Sequence, residues 1–263
     1  MASVHNARWA AGSHVADAAL RSLRIGTAGW ALPKAQRTRP LGSQSVLEHY
    51  AALFDAVEIN SSFYRPHRRA TYERWSQSVP ESFRFSVKLP RMITHELGLA
   101  NCRGETVSFM QSVRGLKQKL AVLLVQLPPG AMFEESVASE FFDVLRQETS
   151  AHLVCEARNP SWFVDEATAL FEAHGITRVV AEPVPAGCES AVQTAARFAY
   201  FRLHGSPRMY YSPYSIDFLT GVAAVAGAAA ESWCIFDNTA AGAAWSDATT
   251  LQRLIKATAG STG

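Results

Sequence analysis

Charge is scarce in this chain. Only 18% of the residues are Asp, Glu, Lys or Arg and the formal net charge is +2. That argues against a disordered or supercharged chain, and the positive balance is too weak to imply nucleic acid by itself. Long apolar runs are missing as well: nothing approaches the ~18 uninterrupted apolar residues of a membrane span. The opening residues lack the apolar core of a secretory signal. Arg8 and Arg21 among alanines are a faint transit-peptide signal, but the reading here is a poorly ordered extension over 1–22 and a cytoplasmic protein. Cysteine is sparse and scattered: Cys102, Cys155, Cys188 and Cys234 include no C-x-x-C pair. Cys155 and Cys234 sit in apolar, strand-like runs, so buried reduced thiols are expected rather than a disulfide or zinc site. Also absent are a G-x-G-x-x-G after the first strand, a phosphate-cradling P-loop, an H-E-x-x-H pair and a nucleophile elbow.

What is present is a regular alternation. The 263 residues, 48% of them apolar, suit one α/β barrel of typically ~250 residues and are too few for two large domains. Val57 and Ile59 alternate with Glu58 and Asn60, as in a strand with one apolar and one hydrogen-bonding face. That strand follows a helix opened by a capping box, Ser45 with Glu48. Phe83 to Lys88 alternates as a third strand, and 121–126 is a continuous apolar run typical of a strand buried on both faces. The second half repeats the pattern, with strands predicted over 152–156, 177–182, 198–204 and 233–237 and a short helix over 188–196. Eight alternations without a linker or sequence repeat predict a single TIM-type (β/α)8 barrel over 23–263, regular or irregular, in preference to a doubly wound sheet.

In such a barrel the active site lies at the carboxyl ends of the strands. The last inward positions are expected to be Thr27, Glu58 with Asn60, Lys88, Gln126, Glu156 with Arg158, Glu182, Arg202 with His204, and Asp237 or Asn238. Every strand thus ends in a polar group. Those charges could merely neutralise one another in a buried network. A plug of valine and leucine would serve stability better, so a polar pocket is the favoured reading. Glu58 and Glu156 are candidates for acid and base, Lys88 and Arg202 for holding an anion, and His204 for proton shuttle or ligand. Three chemistries fit this set: a divalent metal held by Glu58, Glu156, Glu182, His204 or Asp237; a carboxylate pair acting on a glycosidic or ester bond; and a Schiff base on Lys88. No cofactor is required by any motif. A carboxylate partner on the neighbouring strand, Glu58, should keep Lys88 charged and make it an electrostatic partner rather than a nucleophile.

Two loops add aromatic and basic side chains. The first, 61–69, carries Phe63, Tyr64, Arg65, His67, Arg68 and Arg69; the second, 206–214, carries Arg208, Tyr210, Tyr211 and Tyr214. Aromatics stack on sugars or bases and arginines grip phosphate. With Trp30 in the turn after the first strand, Tyr64, Tyr211 and Tyr214 are candidate substrate contacts. The ligand expected is small and anionic or sugar-like. A non-catalytic module that grips a nucleic acid or nucleotide is the alternative.

Several motifs fall in register with a known family. Ile25-Gly26-Thr27-Ala28-Gly29-Trp30, Val57-Glu58-Ile59-Asn60-Ser61-Ser62-Phe63-Tyr64 and Phe85-Ser86-Val87-Lys88-Leu89-Pro90 resemble the YecE-like family. So do Ile93-Thr94-His95-Glu96, Gln126-Leu127-Pro128-Pro129, Asn159-Pro160-Ser161-Trp162, Arg202-Leu203-His204-Gly205, Tyr211-Ser212-Pro213-Tyr214 and Asp237-Asn238-Thr239. The resemblance spans 24–257 and implies a β/α barrel with no established reaction. Two departures stand out: Ala157-Arg158-Asn159 where a Phe-Arg-His type triplet is expected, and Pro213 where a glycine is usual.

Overall fold

The computed structural model describes residues 22–33, 44–188 and 197–260. The expected extension over 1–22 (Ser22 apart), most of the basic loop to Leu41 and nearly all of the expected helix over 188–196 lie outside them.

The described residues contain nine strands and seven α-helices, which alternate through most of their length. The strands are β1 (Ser22–Thr27), β2 (Ala56–Ile59), β3 (Arg84–Lys88), β4 (Leu120–Gln126), β5 (His152–Glu156), β6 (Ile176–Arg178), β7 (Val180–Glu182), β8 (Phe198–Leu203) and β9 (Glu231–Phe236). The helices are α1 (Val46–Ala51), α2 (Arg69–Gln77), α3 (Arg103–Val113), α4 (Glu135–Glu148), α5 (Asp165–Ala173), α6 (Ile216–Ala226) and α7 (Ala243–Gly260). The capping box forms as expected: Ser45 Oγ accepts from the Glu48 amide, and Glu48 Oε2 accepts from the Ser45 amide. Helix α4 buries Ala138, Phe141, Phe142 and Leu145, the three-and-four spacing of an apolar stripe facing a sheet. None of the helices among the described residues is long and apolar enough to cross a membrane.

The closed eight-stranded barrel is not what forms. Pairing is parallel throughout, but it makes two sheets, one in the order β1-β9-β8-β7 and one in the order β2-β3-β4-β5-β6. Each break has a local cause. Between β1 and β2 the strands share only an isolated bridge, Ala28 to Glu58. Along the rest of that seam, side chains replace the ladder. The Tyr50 hydroxyl accepts from the Thr27 amide at 2.9 Å and donates to the Ala56 carbonyl at 3.0 Å. Asp55 accepts from the Ile25 amide at 3.2 Å. At the other break the predicted sixth strand divides at Val179, so that β6 pairs with β5 and β7 with β8.

The two sheets nevertheless pack inner face to inner face. Alternate strand residues separate cleanly between two cores. Ala56, Val122, Leu124, Val154, Phe198, Tyr200, Trp233 and Ile235 form the cluster between the sheets. Val57, Val87, Leu123, Val125, Phe201 and Phe236 join the larger core that also takes in the helices. This parity decides which polar side chains near the strand ends face inward, toward the site described next.

Candidate functional site

Arg202 is the centre of an ion network at the carboxyl ends of the strands. It follows Tyr200 on the inner face of β8 and is 1% exposed. Its Nε donates to Glu58 Oε2 at 3.0 Å and its Nη2 to Glu58 Oε1 at 2.8 Å, a two-pronged grip on one carboxylate. Nη1 reaches Glu156 Oε2 at 2.8 Å, and Nη2 also lies 3.0 Å from Asp237 Oδ2. Glu58 comes from β2, Glu156 ends β5 and Asp237 follows β9, so a single guanidinium ties both sheets together. Tyr200 supports the grip, its hydroxyl bonding Glu58 Oε2 at 3.0 Å and Ser86 Oγ at 2.8 Å.

His204 continues the same face of β8. Its Nδ1 lies 3.0 Å from Asp237 Oδ2. Its Nε2 is 3.3 Å from Glu156 Oε1 but is not aligned for a hydrogen bond and finds no other partner. Arg158 holds the remaining side of Glu156, with Nη2 to Oε1 at 2.8 Å and Nε to Oε1 at 2.9 Å. Tyr210 closes over this floor: its ring stands edge-on to His204 at 5.6 Å and its hydroxyl accepts from Arg158 at 3.4 Å.

The electrostatics follow from that pairing. Burial alone would push Glu156 up, but Arg202, His204 and Arg158 outweigh it and hold the carboxyl well below the usual range. Asp237 is lowered against its own burial by Arg202 and His204. Burial works against a charged His204, yet Glu156 and Asp237 prevail and raise the imidazole above its ordinary value. Arg202 is likewise raised well above its ordinary value against burial, by Asp237, Glu58 and Glu156. Glu156, Asp237 and Arg202 are thus each held toward the charged form by their neighbours.

Lys88 is the exception. It ends β3 and is buried, with its Nζ 3.9 Å from the centre of the Phe63 ring. Among the described residues its amine makes no hydrogen bond or ion pair. Burial and then Arg202 lower its pKa to about 8, against the pull of Glu58, Glu156 and Asp237. The expected Lys88–Glu58 pair is therefore absent. The reason is competition, because both oxygens of Glu58 face the Arg202 guanidinium, whose planar fork matches a carboxylate.

The structure thus brings together Glu58, Glu156, Arg158, Arg202, His204 and Asp237, with Lys88 beside them. Other expected contacts do different work. Thr27 shares the parity of Ile25 and turns toward α1, its hydroxyl bonding the Gly29 carbonyl and the Tyr50 hydroxyl. Trp30 packs edge-on against Trp75 of α2 at 5.0 Å. Tyr214 is buried, and its hydroxyl accepts from the Gly205 amide and donates to the Glu182 carbonyl. Asn238 donates to the Ser212 carbonyl and to Asp247, which in turn accepts from the Tyr214 amide. Tyr214 and Asn238 therefore pin the tyrosine loop. Glu182 is buried on the parity of Val180, which belongs to the outer core, and not on that of Ala181. Gln126 faces inward with Leu124 and donates to the Leu127 carbonyl. Asn60 has a buried Oδ1 without a hydrogen-bond partner among the described residues. Tyr64 and Tyr211 stand on the rim, 77% and 44% exposed.

Tyr200 and Asp247 were not singled out by the sequence reading. Tyr200 had a legible signal, since 200, 202 and 204 share one strand face. Asp247 lies in α7, far along the chain from the loop it holds, and had none. Among the described residues, no group of three or more His, Cys, Asp and Glu side chains could hold a metal ion. The carboxylates that come nearest are already engaged by Arg202 and Arg158.

The sequence matches the family described as protein of unknown function DUF72 over residues 24–262. It is 30% identical over 167 residues to the UPF0759 protein YecE of Escherichia coli K12, covering 61% of this chain and 59% of that one. It is 27% identical over 183 residues to the UPF0759 protein YunF of Bacillus subtilis, covering 66% and 64%. The chain thus spans less than two thirds of the length of these curated relatives. A solved DUF72 family protein of Thermotoga maritima superposes with a TM-score of 0.72 at 24% identity, over 89% of this chain and 99% of that one. One from Enterococcus faecalis V583 gives 0.74 at 19% identity, over 89% and 95%. At those identities the likeness speaks to the fold alone.

Proposed function

Because this chain belongs to the DUF72 family of proteins of unknown function, its chemistry has to come from its own side chains, and we propose that it is an acid–base enzyme of hydrolase or lyase type. The substrate is small and anionic: phosphorylated, and sugar- or nucleotide-like. Lys88 receives the anion and His204 carries the proton. Glu156 and Asp237 position His204, and Glu58 holds Arg202 where it fixes the charge of the whole floor.

The observation that carries this reading is the state of Lys88. Its amine ends next to carboxylates already engaged by Arg202 and Arg158, has no carboxylate within ion-pair distance among the described residues, and has a pKa drawn down to about 8. A bound phosphate or carboxylate would supply the missing counter-charge and bring the amine back toward its charged form. His204 adds the second element, a buried Nε2 without a hydrogen-bond partner among the described residues, with the Tyr210 ring edge-on to it. Glu156 and Asp237 outweigh burial and raise the imidazole, so that His204 holds a proton it can donate.

A thermal-shift screen of the purified chain against sugar phosphates, nucleotides and divalent metals tests the reading, since a ligand bound only by the folded state raises the Tm. With a hit in hand, Lys88→Gln should weaken binding, while His204→Gln should abolish turnover with binding retained. Hits that are indifferent to Lys88→Gln would refute the assignment. A borohydride-trapped adduct on Lys88 would move the protein to Schiff-base chemistry. The exposed rim aromatics favour the second reading, a non-catalytic nucleotide or nucleic-acid binder: Arg208 lies 3.9 Å over the Tyr211 ring beside the mouth. That reading requires binding without turnover, lost in Tyr64→Ala or Tyr211→Ala.

A further inference from the structure

At the opposite end of the two sheets, where the strands begin, there is a cleft of about 660 Å³. Its four basic residues come from three separate places: Arg24 in β1, Arg84 at the start of β3, and Arg114 and Lys117 in the 3₁₀ segment that leads into β4. Two carboxylates, Glu148 and Glu231, also line it. Arg114 is matched by Glu148 at 2.8 Å, and Glu231 lies 3.7 Å from His152. Arg24 is 3.7 Å from Asp55 and spends its Nη1 on the carbonyls of Asp55 and Ser82. Arg84 points its Nη1 at the carbonyls of Glu81 and Phe83, and neither Arg84 nor Lys117 has a carboxylate within 4 Å among the described residues. The cleft thus gathers four cations around two acids, with two of the cations lacking an acidic partner.

Lys117 carries a further oddity. Its backbone sits at φ 53° and ψ −134°, a conformation that glycine adopts and a side-chain-bearing residue rarely does. The neighbouring Gly115 serves packing instead, since a Cβ there would lie 2.6 Å from the Arg69 carbonyl oxygen, and the strained position itself is filled by a lysine. Strain held at a charged, cleft-lining residue is the kind of feature that accompanies ligand binding.

We infer that this amino-end cleft is a second binding site, separate from the Lys88 mouth, for a small polyvalent phosphate of the diphosphate class. Cations left without acidic partners repel one another, and an anion with several oxygens can meet more than one guanidinium while satisfying the Lys117 amine. The volume falls within the range of small-molecule pockets of roughly 300–1,000 Å³ and is larger than a single phosphate needs. The inference does not depend on the reaction assigned to the mouth.

The test uses the full chain carrying Lys88→Gln, so that the mouth cannot answer for the cleft. Pyrophosphate titrated without metal should give saturable binding by calorimetry and a rising Tm, and sulfate at matched ionic strength should give far less. Adding Lys117→Gly removes the charge while relaxing the backbone, so this chain should fold at least as well. Its pyrophosphate affinity should fall about tenfold, the scale of one charge-assisted contact. Binding seen in the wild type but lost in Lys88→Gln would place the anion at the mouth and overturn the inference. So would an equal response to sulfate, no saturable binding at all, or affinity unchanged by Lys117→Gly.

Discussion

Replacing Lys88 with methionine should make the protein more stable at neutral pH, which is the reverse of the usual result for a buried side chain. The wild-type amine has its pKa lowered from 10.5 to about 8, first by burial and then by Arg202. That difference corresponds to about 3 kcal/mol of penalty on the charged form. Below about pH 8 the folded and unfolded chains both carry the proton, so the penalty is present in full. Between about pH 8 and 10.5 the unfolded chain binds the extra proton and stability rises with pH; above that range the penalty is gone. Methionine keeps the length and apolar stem but has no charge to bury. It gives up the contact with Phe63, worth ~0.5–2 kcal/mol, and some support for Asp237. A net gain of about 1–3 kcal/mol at pH 7 is expected, shrinking toward zero near pH 10.5. Urea denaturation of both proteins at pH 7 and pH 9.5 measures this, because every other titration is common to the pair. A Lys88→Met chain less stable than wild type at pH 7, by an amount that does not change with pH, would mean that Lys88 is paired in the folded state. The reasoning about the mouth would then fail with it.

Arg202→Met should cost roughly 3–5 kcal/mol at pH 7, because it leaves Glu58, Glu156 and Asp237 buried without their common counter-charge. Glu156 and Asp237 are lowered in the wild type, so the stability they contribute is present above the ordinary carboxylate range and lost as pH falls. The gap between wild type and Arg202→Met should therefore narrow toward pH 4, and chemical denaturation at the two pH values reads it. Gly26→Ala should destabilise or prevent folding, since a Cβ there would lie 2.2 Å from the Ala56 carbonyl oxygen, where β1 and β2 approach without a ladder; soluble yield and Tm report the effect, and a wild-type Tm would contradict it. Purified protein should carry at most substoichiometric metal unless a substrate completes the site. Elemental analysis showing one tightly held zinc or manganese per chain would overturn that expectation, and Glu182 or His204 substitutions should then release the metal.

Much of the site is written in period-two alternation. Glu58, Lys88 and Glu156 could be assigned to one inner face because each sits two residues from an inward apolar or small neighbour, Ala56, Ser86 or Val154, and Arg202 and His204 continue the alternation that Tyr200 begins. The alternation of helix and strand, the Ser45 capping box and the apolar run of β4 are equally local, set by residues within a turn or two of one another. Parity misleads where a strand meets a seam. Thr27 turns outward because Tyr50 takes the place of the missing β1–β2 ladder, and the break at Val179 leaves Glu182 on the outer parity. The same two seams divide the sheet that the sequence predicted as one closed barrel. Pairing between partners contributed by distant parts of the chain depends on how strands meet in space, and no local pattern records it. Tertiary structure also settled who pairs with whom. Three carboxylates were available to Arg202, Arg158 and Lys88 alike, and only the packing of the two sheets aimed the planar fork of Arg202 at Glu58. That choice left Lys88 without an acid among the described residues, over the Phe63 ring.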